Sequence, residues 1–175
     1  SFVEAHDRES EAFRNFAVSR PDNLILLIDT YDTERAAHKV VEMAPWLEQR
    51  GITLRGVRID SGDLGEDARK VRRILDAGGL TEALIFASGG LDEDKLAAFT
   101  REGAPIQGYG IGTALVTSED APALDCAYKL QEYAGQGRRK RSEKKATWPG
   151  RKQVWRRFDG AGRMTGDLLT TADDR

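Results

Sequence analysis

The sequence predicts an α/β protein: a partial (β/α) barrel of four βα units, followed by a short antiparallel β appendage. Three observations carry that expectation. Four apolar runs of strand length each end in a cluster of polar residues or glycine. Stretches with helical spacing separate them. The strand ends fall near 29, 60, 88 and 111, so one unit repeats about every 23 to 31 residues. Right-handed crossovers put all four polar ends on one rim, where α/β proteins build ligand sites. Four units are half of an eight-stranded barrel or a small open sheet, and the abrupt opening Ser1-Phe2-Val3 favours a barrel whose front half is missing.

Residues 9–18 read as a helix with Ala12, Phe13, Phe16 and Ala17 on one face, broken by Pro21-Asp22-Asn23. Residues 24–29 (LILLID) form a continuous apolar run, the mark of a strand buried on both faces. The helix of residues 34–49 turns Ala36, Val40, Val41, Ala44 and Leu47 inward, and Gly51 closes it. A second strand covers residues 53–60. Its helix, residues 64–77, aligns Leu64, Ala68, Val71, Ile74 and Leu75 and stops at Gly78-Gly79. A third strand at 83–87 (ALIFA) ends in Ser88-Gly89-Gly90, and the helix after it, about 92–102, opens on acids that complement its dipole. The fourth strand, 106–111, ends in Gly112-Thr113.

After Ala121-Pro122 the pattern changes. Residues 126–133 (CAYKLQEY) alternate like an antiparallel strand, 135–145 read as a polar basic loop, and 154–158 (VWRRF) as another strand. Asp159-Gly160-Ala161-Gly162 reads as a hairpin turn, and residues 170–175 are expected to fray. Two regions follow: residues 1–122, the half-barrel with the site, and 123–175, a β-rich tail returning to a domain outside this chain.

Composition excludes several classes. A chain of 175 residues buries one sizeable core. No run approaches the roughly 18 apolar residues of a membrane span, and no signal-peptide pattern opens the chain. The single cysteine, Cys126, permits no internal disulfide, fits a reducing, cytoplasmic setting, and is expected to be a small buried filler. The net charge of −2 hides an asymmetry: residues 137–157 hold ten Lys and Arg against one acid, Glu143, leaving the remainder at −11. The run Arg138-Arg139-Lys140-Arg141 invites a nucleic-acid reading, but no aromatic residue interleaves in it and the acidic body repels a polyanion. A solvated loop is the expectation, with no nucleic-acid partner.

The chemistry concentrates at residues 56–64, Gly-Val-Arg-Ile-Asp-Ser-Gly-Asp-Leu. A strand there runs into two carboxylates, a glycine turn and a helix start, and Arg58 sets a cation in the strand, where it is costly unless an anion meets it. This points to a site for an anionic, hydroxyl-bearing substrate. Arg58 either pairs with an internal Asp or meets a substrate carboxylate. Asp60 and Asp63 suit the vicinal hydroxyls of a sugar, directly or through Mg²⁺; alternatively Asp63 caps the helix at Leu64. Asp29, at a buried strand end, is placed either to orient a histidine or to form a turn with Thr33. The Gly110-Ile111-Gly112-Thr113 turn offers free N–H groups and a hydroxyl to a phosphate, or simply packs tightly. No Gly-x-Gly-x-x-Gly fingerprint, Cys/His metal spacing or serine elbow is present, and His6 and His38 are expected at the surface.

Six stretches together resemble the nicotinate phosphoribosyltransferases, a branch of the type II phosphoribosyltransferases: LLIDTYDT (26–33), GVRIDSGDL (56–64), ASGGLDE (87–93), GYGIGTALVT (108–117), YKL (128–130) and SEKKATWPGRKQVWR (142–156). Ser1-Phe2-Val3 is similar to the end of the family's Gly-Thr-x-Ala-His-Ser motif, as if the chain began just after the phosphorylatable histidine. The resemblance implies a TIM-like barrel and the joining of nicotinate to phosphoribosyl pyrophosphate, with Mg²⁺ and with ATP as co-substrate. It implies that Arg58 meets the nicotinate carboxylate, that Asp60 holds the ribose, that Ser88 and Gly89 line the phosphoribosyl pocket, that Gly112 and Thr113 hold the 5′-phosphate, and that Asp29 supports the missing histidine. It further implies a homodimer. A nicotinamide or quinolinate phosphoribosyltransferase, or a non-catalytic fragment or interaction module, are the competing readings; the missing histidine is the feature that discriminates the last.

Overall fold

The computed structural model describes residues 1–118, 124, 126–141 and 145–174. Its centre is a four-stranded parallel sheet in the order β1-β2-β3-β4, with β1 Leu24–Leu27, β2 Leu54–Ile59, β3 Leu84–Ser88 and β4 Gly108–Gly110. Spatial order equal to chain order is what successive same-handed βα units produce. Four helices alternate with the strands: α1 Glu9–Ser19, α2 Thr33–Glu48, α3 Leu64–Ala77 and α4 Glu93–Arg101, with a single helical turn α5, Thr113–Val116, after β4.

Three of these helices start the same way. The side chains of Asp32, Asp63 and Asp92 accept hydrogen bonds from the backbone N–H of Arg35, Glu66 and Lys95 at 2.8–3.0 Å, satisfying donors that a helix start leaves free. Behind the caps the helices turn their apolar stripes onto one face of the sheet. Leu24, Leu26, Ile28, Val57, Ile59, Ile85 and Ala87 are buried there against Ala36, Val40, Met43, Leu47, Ala68, Val71 and Leu75. α1 adds Ala12, Phe13 and Ala17 to the same core. The other face of the strands carries Ile25, Leu27, Arg58, Phe86 and Ser88, all lining a cavity.

The tail departs from expectation in three places. The strand expected over 126–133 shortens to β5, Glu132–Tyr133, paired with β6, Gln136–Gly137. Alternation alone did not make a strand, because residues 126–129 are exposed and meet no buried surface. Cys126 is therefore exposed, not a buried filler. The expected fraying starts too early: Thr170 and Thr171 belong to β8, Met164–Thr171, paired with β7, Lys152–Phe158, and Trp155 Nε1 donates to Thr170 Oγ1 at 3.0 Å. The turn between β7 and β8 is the one expected, with Asp159 Oδ1 accepting from Ala161 and Arg163 N–H and Gly162 at φ +75°. The boundary expected at 122–123 lies outside the described residues, as do Ser142, Glu143 and Lys144 of the basic stretch and Arg175. Among the described residues no helix is long and apolar enough to cross a membrane.

Candidate active site

Strand register builds the site in two rows. Leu27, Arg58, Phe86 and Gly108 are lateral partners across the four strands; two residues further along, Ser88 lies opposite Gly110 and next to Asp60 at the tip of β2. Because side chains alternate, Arg58, Asp60, Phe86 and Ser88 all face away from α2 and α3.

In the rim row Arg58 Nε donates to Ser88 Oγ at 2.8 Å and Arg58 Nη2 to Asp60 Oδ1 at 3.2 Å. The Ser88 hydroxyl in turn donates a hydrogen bond to Asp60 Oδ1 at 2.6 Å. Lys145 Nζ closes the network from the tail, donating to Asp60 Oδ2 at 2.6 Å and to the Asp60 carbonyl. Burial alone pushes the Asp60 carboxyl up, but hydrogen bonds from Lys145 and Ser88, the Lys145 charge and the Arg58 hydrogen bond outweigh it and bring the group down to about 2. Asp60 is thus a permanent anion at neutral pH. The Arg58 side chain stays 52% exposed, so its pairing leaves guanidinium surface for a ligand.

The cavity beneath has a volume of about 630 Å³, the size of a small-ligand site. Its walls are mainly apolar, from Phe13 and Phe16 of α1, Ile25 and Leu27 of β1, Phe86 of β3 and Ile111 beyond β4, with Arg58, Ser88 and Thr30 as polar points.

The other expected site residues separate. Gly112 lines the same cavity, while Thr113 is exposed at the start of α5. Gly89 lies beside Asp60 at φ +99°, and a Cβ there would overlap the Asp60 carbonyl oxygen, so only glycine lets the tips of β2 and β3 approach. Asp63 is exposed and caps α3, the alternative reading of that residue. Asp29 is 1% exposed and lines a separate, smaller cavity of about 200 Å³ with Ser61. Its Oδ2 accepts from the Ser61 hydroxyl and from Lys140 Nζ at 3.3 Å, and its Oδ1 has no partner among the described residues. No histidine reaches it: the His6 ring, half-buried, bonds the Phe2 carbonyl and Asn15, and His38 is exposed on α2.

The solvated basic loop is the main correction. Arg138 donates to Asp7 at 3.0 Å, Lys140 is buried on Asp29, the Arg141 N–H donates to the Thr30 carbonyl, and Lys145 sits on Asp60. Carboxylates buried at strand tips require counter-charges, and this segment supplies them. Lys140 and Lys145 escaped the sequence reading; the ten cations of the segment facing an acidic body were the signal for them.

Both Asp60 oxygens are engaged by Arg58, Ser88 and Lys145, and Asp63 is committed to its helix. Among the described residues no group of three or more His, Cys, Asp or Glu is placed to hold a metal ion. This donor set does not fit a resident Mg²⁺.

No family model matches the chain. It is 50% identical over 97% of its length to a nicotinate phosphoribosyltransferase of Mycobacterium tuberculosis and 34% identical over its whole length to that of Bacillus subtilis, covering 36% and 37% of those proteins. The chain therefore spans about a third of the length of these relatives. Among solved structures it resembles human nicotinic acid phosphoribosyltransferase, with TM-score 0.56, 29% identity, and coverage of 98% of this chain and 33% of that one. A nicotinate phosphoribosyltransferase of Vibrio cholerae shares the fold at TM-score 0.62 and 22% identity, over 80% of this chain and 36% of that one. Homologous along nearly its whole length to proteins of that name, this chain belongs, as a segment of it, to the nicotinate phosphoribosyltransferase family.

Proposed function

We propose that the protein containing this segment is a nicotinate phosphoribosyltransferase, forming nicotinate mononucleotide and pyrophosphate from nicotinate and phosphoribosyl pyrophosphate. One observation carries the reading: a half-exposed Arg58 guanidinium, tied to Asp60 and Ser88, faces an apolar cavity of small-ligand size in a chain 50% identical to a protein of that name. Arg58 receives the nicotinate carboxylate and the apolar walls receive the ring. As pyrophosphate leaves, positive charge grows on the ribose, and the anionic Asp60 beside it stabilises that charge. A carboxyl held near 2 is too weak a base to remove a proton at neutral pH, so Asp60 acts through its field and by accepting one ribose hydroxyl at the site left open on Oδ2. Ser88 and Gly89 border the phosphoribosyl group, Gly112 and Thr113 take its 5′-phosphate, and Asp29 steadies a histidine of the whole protein.

Among the described residues no group of carboxylates is placed to hold Mg²⁺, so any Mg²⁺ would be brought by the diphosphate of the co-substrate. ATP hydrolysis is coupled in the whole protein, a cytoplasmic homodimer whose barrel these four strands help to close. A cation at residue 58 favours an acid over nicotinamide. Titration calorimetry of the chain with nicotinate and nicotinamide tests the reading. Nicotinate should bind more tightly, and Arg58→Gln should weaken it on the order of 10- to 100-fold, the loss of a charged hydrogen-bond pair. Equal affinity for acid and amide, or an unaffected Arg58→Gln, would overturn it.

A further inference from the structure

The inner row of the site holds a feature that the charge network leaves unexplained. Phe86 is the lateral partner of Arg58 on one side and of Gly108 on the other. It is half-buried, lines the 630 Å³ cavity, and its ring edge fills the space that a side chain at residue 108 would need: a Cβ on Gly108 would overlap Phe86 Cδ1 and Cε1. Gly108 is not among the glycines with positive φ, so backbone freedom does not account for it. A glycine within a strand weakens the strand and marks a close approach by another group. Here that group is the Phe86 ring.

We propose that Phe86, seated on Gly108 beside Arg58, selects a planar aromatic ring in this cavity, while Arg58 takes the carboxylate of the same ligand. The proposal rests on reading this cavity as the nicotinate site and adds the residue that discriminates by ring type. Arg58 binds any carboxylate, and aliphatic walls such as Ile25 and Leu27 accept a saturated ring as readily as an aromatic one. Neighbouring strands lie about 4.8 Å apart, so a short acid held by Arg58 brings its ring to Phe86. An aromatic pair adds stabilisation beyond buried area, which a saturated ring does not collect.

The test is calorimetric titration of the chain and its variants with nicotinate and with cyclohexanecarboxylate, which keeps the carboxylate and loses the aromaticity. The chain should prefer nicotinate. Phe86→Leu should reduce that preference on the order of fivefold, mainly through weaker nicotinate binding. Gly108→Ala, which keeps the ring but displaces it, should also weaken nicotinate binding, and it carries the test alone if Phe86→Leu does not fold. Arg58→Gln should weaken binding of both acids on the order of 10- to 100-fold. An unchanged preference in Phe86→Leu, or in Gly108→Ala where only that variant folds, overturns the role of Phe86. If Arg58→Gln then weakens binding of both acids, the reading of the site still stands. Failure of the unaltered chain to bind either acid overturns both.

Discussion

Asp60 keeps its charge against burial because Lys145, Ser88 and Arg58 converge on its two oxygens. Its carboxyl lies at about 2 in the fold against an ordinary 3.8, so the folded state binds that proton less readily than the unfolded chain does. The resulting stability is present above about pH 4 and is lost as pH falls towards 2. Urea unfolding between pH 5 and pH 2, on the order of one curve per half unit, should therefore show a smaller acid loss in Asp60→Asn than in the parent. An identical loss would mean that Asp60 is not held as described. Asp29 and Lys140 form a different kind of pair, with side chains 1% and 10% exposed. Lys140→Met strands a buried carboxylate and should cost about 3–5 kcal/mol in denaturant unfolding, while Asp29→Asn combined with Lys140→Met should recover much of that. These two lysines lie 85 and 111 residues from their carboxylates. Nothing local in the sequence links them, which is why the segment read as a loop in solvent.

At the scale of elements, apolar periodicity and capping made the βα units legible. α3 runs from Leu64 to Ala77 as its spacing predicted, because Asp63 caps it and Gly78 ends it. The tail was harder to read, since a two-stranded ribbon buries little and its alternation has no single meaning. Val154, Trp155, Phe158 and Met164 remain 44–60% exposed on β7 and β8. Where elements meet, Gly89 is a tight joint of the site. Gly89→Ala combines a strained left-handed backbone with an overlap with the Asp60 carbonyl, and should destabilise the fold by about 1–3 kcal/mol. Thermal melting checks the cost, and nicotinate titration should show weaker binding as the β2 and β3 tips part. A variant with unchanged melting and affinity would show that the two loops do not need this contact.

For the whole molecule, these 175 residues supply a half-exposed arginine, a carboxylate held by it and an apolar cavity within about a third of the length of their relatives. Tested alone, the chain should bind nicotinate yet form no nicotinate mononucleotide coupled to ATP hydrolysis, since Asp29 reaches no histidine among the described residues. Product analysis by chromatography, with and without ATP, checks this; ATP-stimulated turnover by the chain alone would refute it.

The order of strands and helices, the rim of polar tips and the placing of Arg58 and Asp60 on one face were determined by sequence, because period and register are local properties. Tertiary structure alone decided which cations neutralise Asp29 and Asp60, that Asp63 serves its helix, and that Phe86 occupies the space left by Gly108. Those outcomes depend on how closely distant segments approach and on what burial demands of a charge, and neither is written in the spacing of neighbours along the chain.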